Sequence, residues 1–317
     1  MMDRTDPGRG RILLGSFRSA SLGVMKRYTV YLPPGYDEAD ERYSVLYLFR
    51  GHEREWANAH EDGSRGGATV VGLLDAMIST GRIRPMIAVM PSTSSADNSI
   101  PGLGVNMIAV QHARGRSGIG SGRFEDYLLR DLIPNIDRTY RTIPDREHRG
   151  VDGFSLGGYT AMLLAAKHPE MFSSAGCYDG THMWRGLRDP RSRAGGASDA
   201  TWMRNPMFDA AFGNPRNRAH MRKHNPADII AHARGPALAL LRSMVFHVHA
   251  AACDGQKGNL DRARHFVSVL HEAGLRNSFP DVVLSPAAVH AWNYADMHMR
   301  RALPLHDRAF RRDRRSP

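Results

Sequence analysis

The chain has 317 residues, with 43 lysines and arginines against 32 acids and a formal net charge of +11. Hydrophobic residues make up 42% and charged residues 24%, a globular balance that excludes wholesale disorder, collagen-like repeats and coiled coils. Two cysteines, Cys177 and Cys253, exclude a disulfide-rich scaffold and a cysteine-built zinc site; both follow apolar runs and read as buried free thiols.

The first 17 residues carry charge but no apolar h-region, and no apolar run approaches the roughly 20 residues that span a bilayer. A soluble, cytoplasmic protein is the expectation. Lys26–Leu32 is β-branched and aromatic, and Pro33-Pro34-Gly35 stops it. Tyr43–Phe49 is a continuous apolar run of strand length, as in a strand covered on both faces. Thr69–Thr80 spaces Val70, Leu73, Leu74 and Met77 as one helix face. Met86–Met90 predicts another buried strand. Phe124–Tyr140 sets Leu128, Leu132, Ile133 and Ile136 along a second helix face. Arg149–Phe154 then predicts a strand and Leu156–Lys167 a helix. Strands follow at Ser173–Tyr178, Met244–Ala251 and Asp281–Leu284, with helices at Asp261–Gly274 and Ala291–Ala309.

Strands separated by helices imply a mostly parallel central sheet with helices on both faces. The early strands have no helix between them and predict an antiparallel N-terminal edge. Residues 1–305 read as one α/β domain. Within it, 181–235 is rich in Arg, Gly, Asp and Ser with weak periodicity, as in an insertion or lid over the C-terminal strand ends. Residues 306–317 read as a basic tail, and 300–317 hold seven Arg against two Asp. No aromatic interleaving or nucleic-acid motif accompanies that charge, so a nucleic-acid partner is not expected.

Gly153-Phe154-Ser155-Leu156-Gly157 fits G-x-S-x-G. The pattern alone is weak, but a strand runs into it and a helix runs out. A sharp strand-to-helix turn exposes the serine Oγ, small flanking residues relieve crowding, and the helix N-terminus aims amides at a developing oxyanion. Of the 16 histidines, His290 follows the last predicted strand, where the base of such a site belongs. His265, His271 and His298 fall within helices and read as surface or packing residues; His182 is a weaker rival. Asp254, where strand Met244–Ala251 gives way to a loop, is the first choice of acid. Asp261 and Asp179 are the alternatives. The backbone N–H groups of Leu156 and His52 are the expected oxyanion donors.

With these pieces the chain resembles the putative-esterase branch of α/β-hydrolases, which holds esterase D-like, feruloyl, acetylxylan and enterochelin esterases and the mycolyltransferase antigens. The resemblance rests on Tyr28–Tyr36, Tyr43–Gly51, Met86–Pro91, Phe124–Asp145, Val151–Pro169 and His290–Trp292. It implies the α/β-hydrolase fold, with Ser155 as nucleophile, His290 as base, Asp254 as acid and Leu156 and His52 as oxyanion donors. One departure is Arg50, where the family usually has histidine before Gly51. It suits either an anionic substrate group or an ion pair with Glu53 or Glu55.

The expected activity is hydrolysis of a carboxylic ester through a Ser–His–Asp triad and an acyl-enzyme, without metal or cofactor. The same residues would serve an acyltransferase, and a non-catalytic binding protein on a hydrolase scaffold is the reading from another class. The expected substrate is a small-molecule or carbohydrate-linked ester, with arginine near the pocket pointing to an anionic one. Arg50, Trp56, Trp184 and Trp292 are the candidate substrate contacts, with Trp202 close to the same loops. Homo-oligomerisation stays open.

Overall fold

The computed structural model describes residues 9–191, 198–253 and 258–310. Seven strands form one sheet: β1 Arg11–Arg18, β2 Met25–Leu32, β3 Ser44–Phe49, β4 Met86–Pro91, β5 Arg149–Gly153, β6 Ser174–Tyr178 and β7 Val245–His249. Their spatial order is β1-β2-β4-β3-β5-β6-β7. The first two pairings are antiparallel and the rest parallel, which gives the expected antiparallel edge. β3, β4, β5 and β6 are buried along their whole length, since helices cover both faces. Helix Val70–Ser79 and the final helix Trp292–Ala309 pack one face around Leu46, Leu48 and Ala88. Helix Leu156–Lys167 and the segments within 124–139 pack the other around Val45, Tyr47 and Val151.

Differences from expectation have local causes. β1 was not anticipated. It alternates half-buried and exposed residues, with Leu13 and Phe17 turned inward, as an edge strand does. Asp281–Leu284 does not join the sheet as a strand. Pro280 and Pro286 bracket it, and it pairs with β7's extension only through the Ala250–Val283 bridge. Between Phe124 and Thr139 the helix widens into a π-turn over Tyr127–Leu132. Pro134 follows there, lacks an N–H and would crowd the Arg130 carbonyl in a regular α-helix. Cys177 is buried, whereas Cys253 is exposed.

The segment read as an insertion folds into short helices, among them Ala200–Arg204, Arg218–Lys223 and Pro226–His232, around Trp202, Phe208 and Phe212. Its residues 192–197 lie outside the described residues. Arg262 of helix Asn259–Glu272 anchors it through a bidentate pair with buried Asp199, 2.7 Å on each arm. No helix among the described residues is long and apolar enough to cross a membrane.

The tail does not begin at 306. The final helix runs to Ala309, and His306, Asp307 and Phe310 are buried. Residues 311–317, with four of the arginines, lie outside the described residues. Ending the chain at Leu305 removes Phe310 from the core and the Asp307 partner of Arg84, 3.0 Å away. A fall in thermal midpoint of at least about 5 °C is expected, read by differential scanning calorimetry.

Candidate active site

Ser155 stands between β5 and helix Leu156–Lys167 with φ +59° and ψ −124°, a conformation that L-residues rarely adopt. The turn is tight because backbone meets backbone. A Cβ on Gly153 would lie 2.3 Å from the Gly157 carbonyl, and one on Gly157 would lie 2.0 Å from Phe49 O. Glycine is therefore required at both positions. The Ser155 N–H donates to Tyr178 O at the end of β6 (3.1 Å), which fixes the nucleophile against the neighbouring strand. As the first helical residue, Leu156 has no carbonyl one turn back for its N–H.

His290 lies just before the final helix, in a loop held from several sides. Tyr178 O–H donates to Val289 O (2.6 Å), and the Trp292 N–H donates to Asp62 (2.9 Å). Arg65 binds Asp296 of the same helix at 2.6 Å and lies over the Trp292 ring. The His290 ring packs against Phe154, with centroids 4.6 Å apart. Ser155 and His290 line one cavity of about 440 Å³, together with Arg50, Asn98, Met207 and Phe208 among others.

Among the described residues the carboxylate facing His290 is Asp179, the last of the three acids weighed from sequence. His290 Nδ1 donates to Asp179 Oδ2. Asp179 directly follows β6, is fully buried, and sits at φ +47°, a region aspartate enters more readily than most residues. That turn directs its carboxylate across the strand end. Oδ1 accepts the Ala251 N–H (3.1 Å), and Oδ2 accepts Asn259 Nδ2 (3.1 Å). Burial alone would raise this carboxyl, but the bonds from His290, Asn259 and Ala251 prevail and hold it below its ordinary value. Asp261 instead pairs with Arg191 at 3.0 Å, half-exposed in the first turn of its helix. Asp254 lies outside the described residues.

The loop after β3 is also organised differently from expectation. Glu55 Oε1 accepts the N–H groups of Gly51 (3.2 Å) and His52 (2.6 Å) and Asn98 Nδ2 (3.1 Å). The His52 amide is thus engaged by a carboxylate rather than left for a substrate oxygen. Arg50 Nε lies 3.5 Å from Glu55 Oε2, the ion pair weighed from sequence, and its guanidinium stands over Phe154.

The tryptophans are core residues. Trp56 is fully buried, donates to Phe49 O (3.1 Å) and meets Trp292 edge-on at 5.1 Å. Trp184 is buried against His265 and Arg262. None of the four lines the Ser155 cavity. Trp56→Ala is expected to cost about 3–5 kcal/mol by urea denaturation while leaving acyl preference unchanged. Residues that do line the cavity, Thr181, Thr201, Met207 and Phe208, come from the insertion, where no sequence period marked them. Several insertion arginines and Lys223 instead surround a separate cleft of about 850 Å³ that contains Arg185, Arg188 and Arg222 but not Ser155.

Among known proteins, an endo-1,4-beta-xylanase/feruloyl esterase of Xylanibacter ruminicola is 32% identical over 197 residues, 60% of this chain and 24% of that protein. Esterase Rv1288 of Mycobacterium tuberculosis is 29% identical over 164 residues, 52% of this chain and 31% of that protein. The chain thus spans a quarter to a third of the length of these curated relatives. A ferulic acid esterase structure superposes with a TM-score of 0.71 at 21% identity, covering 95% of this chain and 99% of the other. An S-formylglutathione hydrolase from Agrobacterium tumefaciens gives 0.61 at 19% identity, covering 95% and 96%. These likenesses establish the α/β-hydrolase fold. Residues 19–235 match the family described as Putative esterase, and with that match over two thirds of its length the chain belongs to that family.

Proposed function

We propose that this chain is a serine carboxylic-ester hydrolase with Ser155, His290 and Asp179 as its triad. The observation that carries the reading is that a strained, glycine-flanked serine and a histidine held by a buried carboxylate line the same cavity. Ser155 Oγ would attack the ester carbonyl while His290 Nε2 takes its proton and then passes it to the departing alcohol. Asp179 keeps the proton on Nδ1 and stabilises the imidazolium that forms. Water, deprotonated by the same imidazole, would attack the acyl-enzyme and release the acid. The Leu156 N–H is the oxyanion donor of this scheme. The Gly51 and His52 amides are held by Glu55, so the loop after β3 acts as a braced wall.

A cavity of about 440 Å³ with Phe208, Met207 and Pro101 on its wall suits an acyl group the size of an aromatic ring. Feruloyl esters are therefore the first substrates to try, in keeping with the feruloyl esterase relative. The test is labelling with a fluorophosphonate probe, followed by hydrolysis of methyl ferulate, p-nitrophenyl acetate and acetylated sugars. Labelling at Ser155 is the expected result. A folded wild-type protein left unlabelled under conditions that label a known serine esterase would end this reading.

A further inference from the structure

Behind the active site lies a second constellation that the triad does not use. Asp152, three residues before Ser155, is fully buried on β5. His247 reaches it from β7 and His298 and His306 reach it from the final helix, while His249 of β7 meets His298 Nδ1 at 3.1 Å; all are buried. His306 Nε2 lies 3.1 Å from Asp152 Oδ2, His247 Nε2 lies 3.6 Å from the same oxygen, and the two imidazole nitrogens are 2.8 Å apart. We propose that Asp152, His247 and His306 bind one divalent transition-metal ion of the zinc class.

Three donors at about 2.0–2.2 Å from a tetrahedral centre stand roughly 3.3–3.6 Å from one another, close to the separations seen here. Two imidazoles and one carboxylate suit zinc or a neighbouring transition metal, whereas calcium and magnesium take oxygen donors. The outer partners fit ligation too. Ser174 Oγ, 2.5 Å from His306 Nδ1, would accept its proton and leave Nε2 free to bind. The Gly153 N–H (2.6 Å) and His298 Nε2 (3.2 Å) hold the Asp152 carboxylate. Space is reserved as well: a Cβ on Gly176 of β6 would lie 2.1 Å from Asp152 Oδ2 and 2.5 Å from His247 Nε2. The buried carboxylate needs a compensating charge. A dication supplies it, and a proton on one imidazole of the cluster is the competing source. The ion would tie the strand leading to Ser155 to β7 and to the helix after His290, as a structural centre outside the reaction.

Metal content of untagged protein, purified without nickel and dialysed against EDTA, tests this by mass spectrometry. About one zinc per chain is expected, resistant to EDTA in the folded state and released to a chromogenic chelator on unfolding in guanidinium. His247→Gln and His306→Gln, which keep a polar group of similar size, should each lose it. Wild type refolded in EDTA should melt roughly 5 °C or more below wild type refolded with zinc. Wild type that folds in excess zinc with under about a tenth of an equivalent retained, and melts alike in chelator, overturns the proposal and leaves the proton as the compensating charge. The wild-type arms decide the matter even if both variants fail to fold.

Discussion

Ser155→Ala is expected to lower kcat for a p-nitrophenyl ester by on the order of 10⁵-fold and to abolish fluorophosphonate labelling. Losing a triad nucleophile leaves only binding and oxyanion stabilisation. Folding should be unaffected, because alanine keeps the same Cβ and inherits the same strained backbone at φ +59°. Ser155→Gly provides the matching stability measurement. Glycine occupies that region without strain of about 1–3 kcal/mol. It gives back about 0.4–1 kcal/mol through a freer unfolded chain. The glycine variant should therefore be inactive and more stable than the alanine variant in urea denaturation. Alanine turnover at the wild-type rate would show that Ser155 is not the nucleophile.

Asp179→Asn should reduce kcat by roughly 10³- to 10⁴-fold, with a much smaller effect on KM. An imidazole has one Nδ1 proton to place, and Asp179 accepts its hydrogen bond. An amide in that position presents N–H where an acceptor is needed and favours the wrong tautomer. Asp254→Asn and Asp261→Asn should leave kcat within about threefold; an exposed ion pair such as Asp261–Arg191 contributes at most about 1 kcal/mol. Stability should follow the same residue. The folded-state pKa of Asp179 is held below its ordinary value, so its contribution is present above the unfolded value of about 3.9 and is lost as pH falls through the folded value. Thermal melts of wild type should show that acid loss, and Asp179→Asn should flatten it. Full activity in Asp179→Asn together with inactivity in Asp254→Asn would reassign the acid.

How much was legible depended on how far apart in sequence the interacting residues are. The buried strands announced themselves because β3 and β4 are apolar at every position, the signature of coverage on both faces. The nucleophile turn was legible because Gly153, Ser155 and Gly157 lie within five residues, so crowding there is local. β1 escaped notice because its alternation is half-hidden by Gly15 and by Ile12 and Leu14 facing solvent. Tryptophans near the active-site loops looked like pocket walls, but proximity in sequence does not tell which side of the sheet edge a ring faces. Trp56 and Trp292 pack beneath the site rather than in it.

The sequence by itself determined strands β2 to β7 and the main helices between and after them, the antiparallel edge, the glycine-flanked serine and the histidine ahead of the last helix. Each of these depends on spacing within a few residues, or on the one-way crossover rule of parallel sheets. Tertiary structure alone brought Asp179 to His290. Asp179 and Asp254 each follow a strand-like run and precede a glycine, so local pattern treats them alike. It is β6, packed directly between the nucleophile strand and β7, that carries Asp179 to a histidine 111 positions away. The cluster around Asp152 has the same character. Its members come from two strands and the final helix, and only the closed sheet brings their nitrogens to one carboxylate.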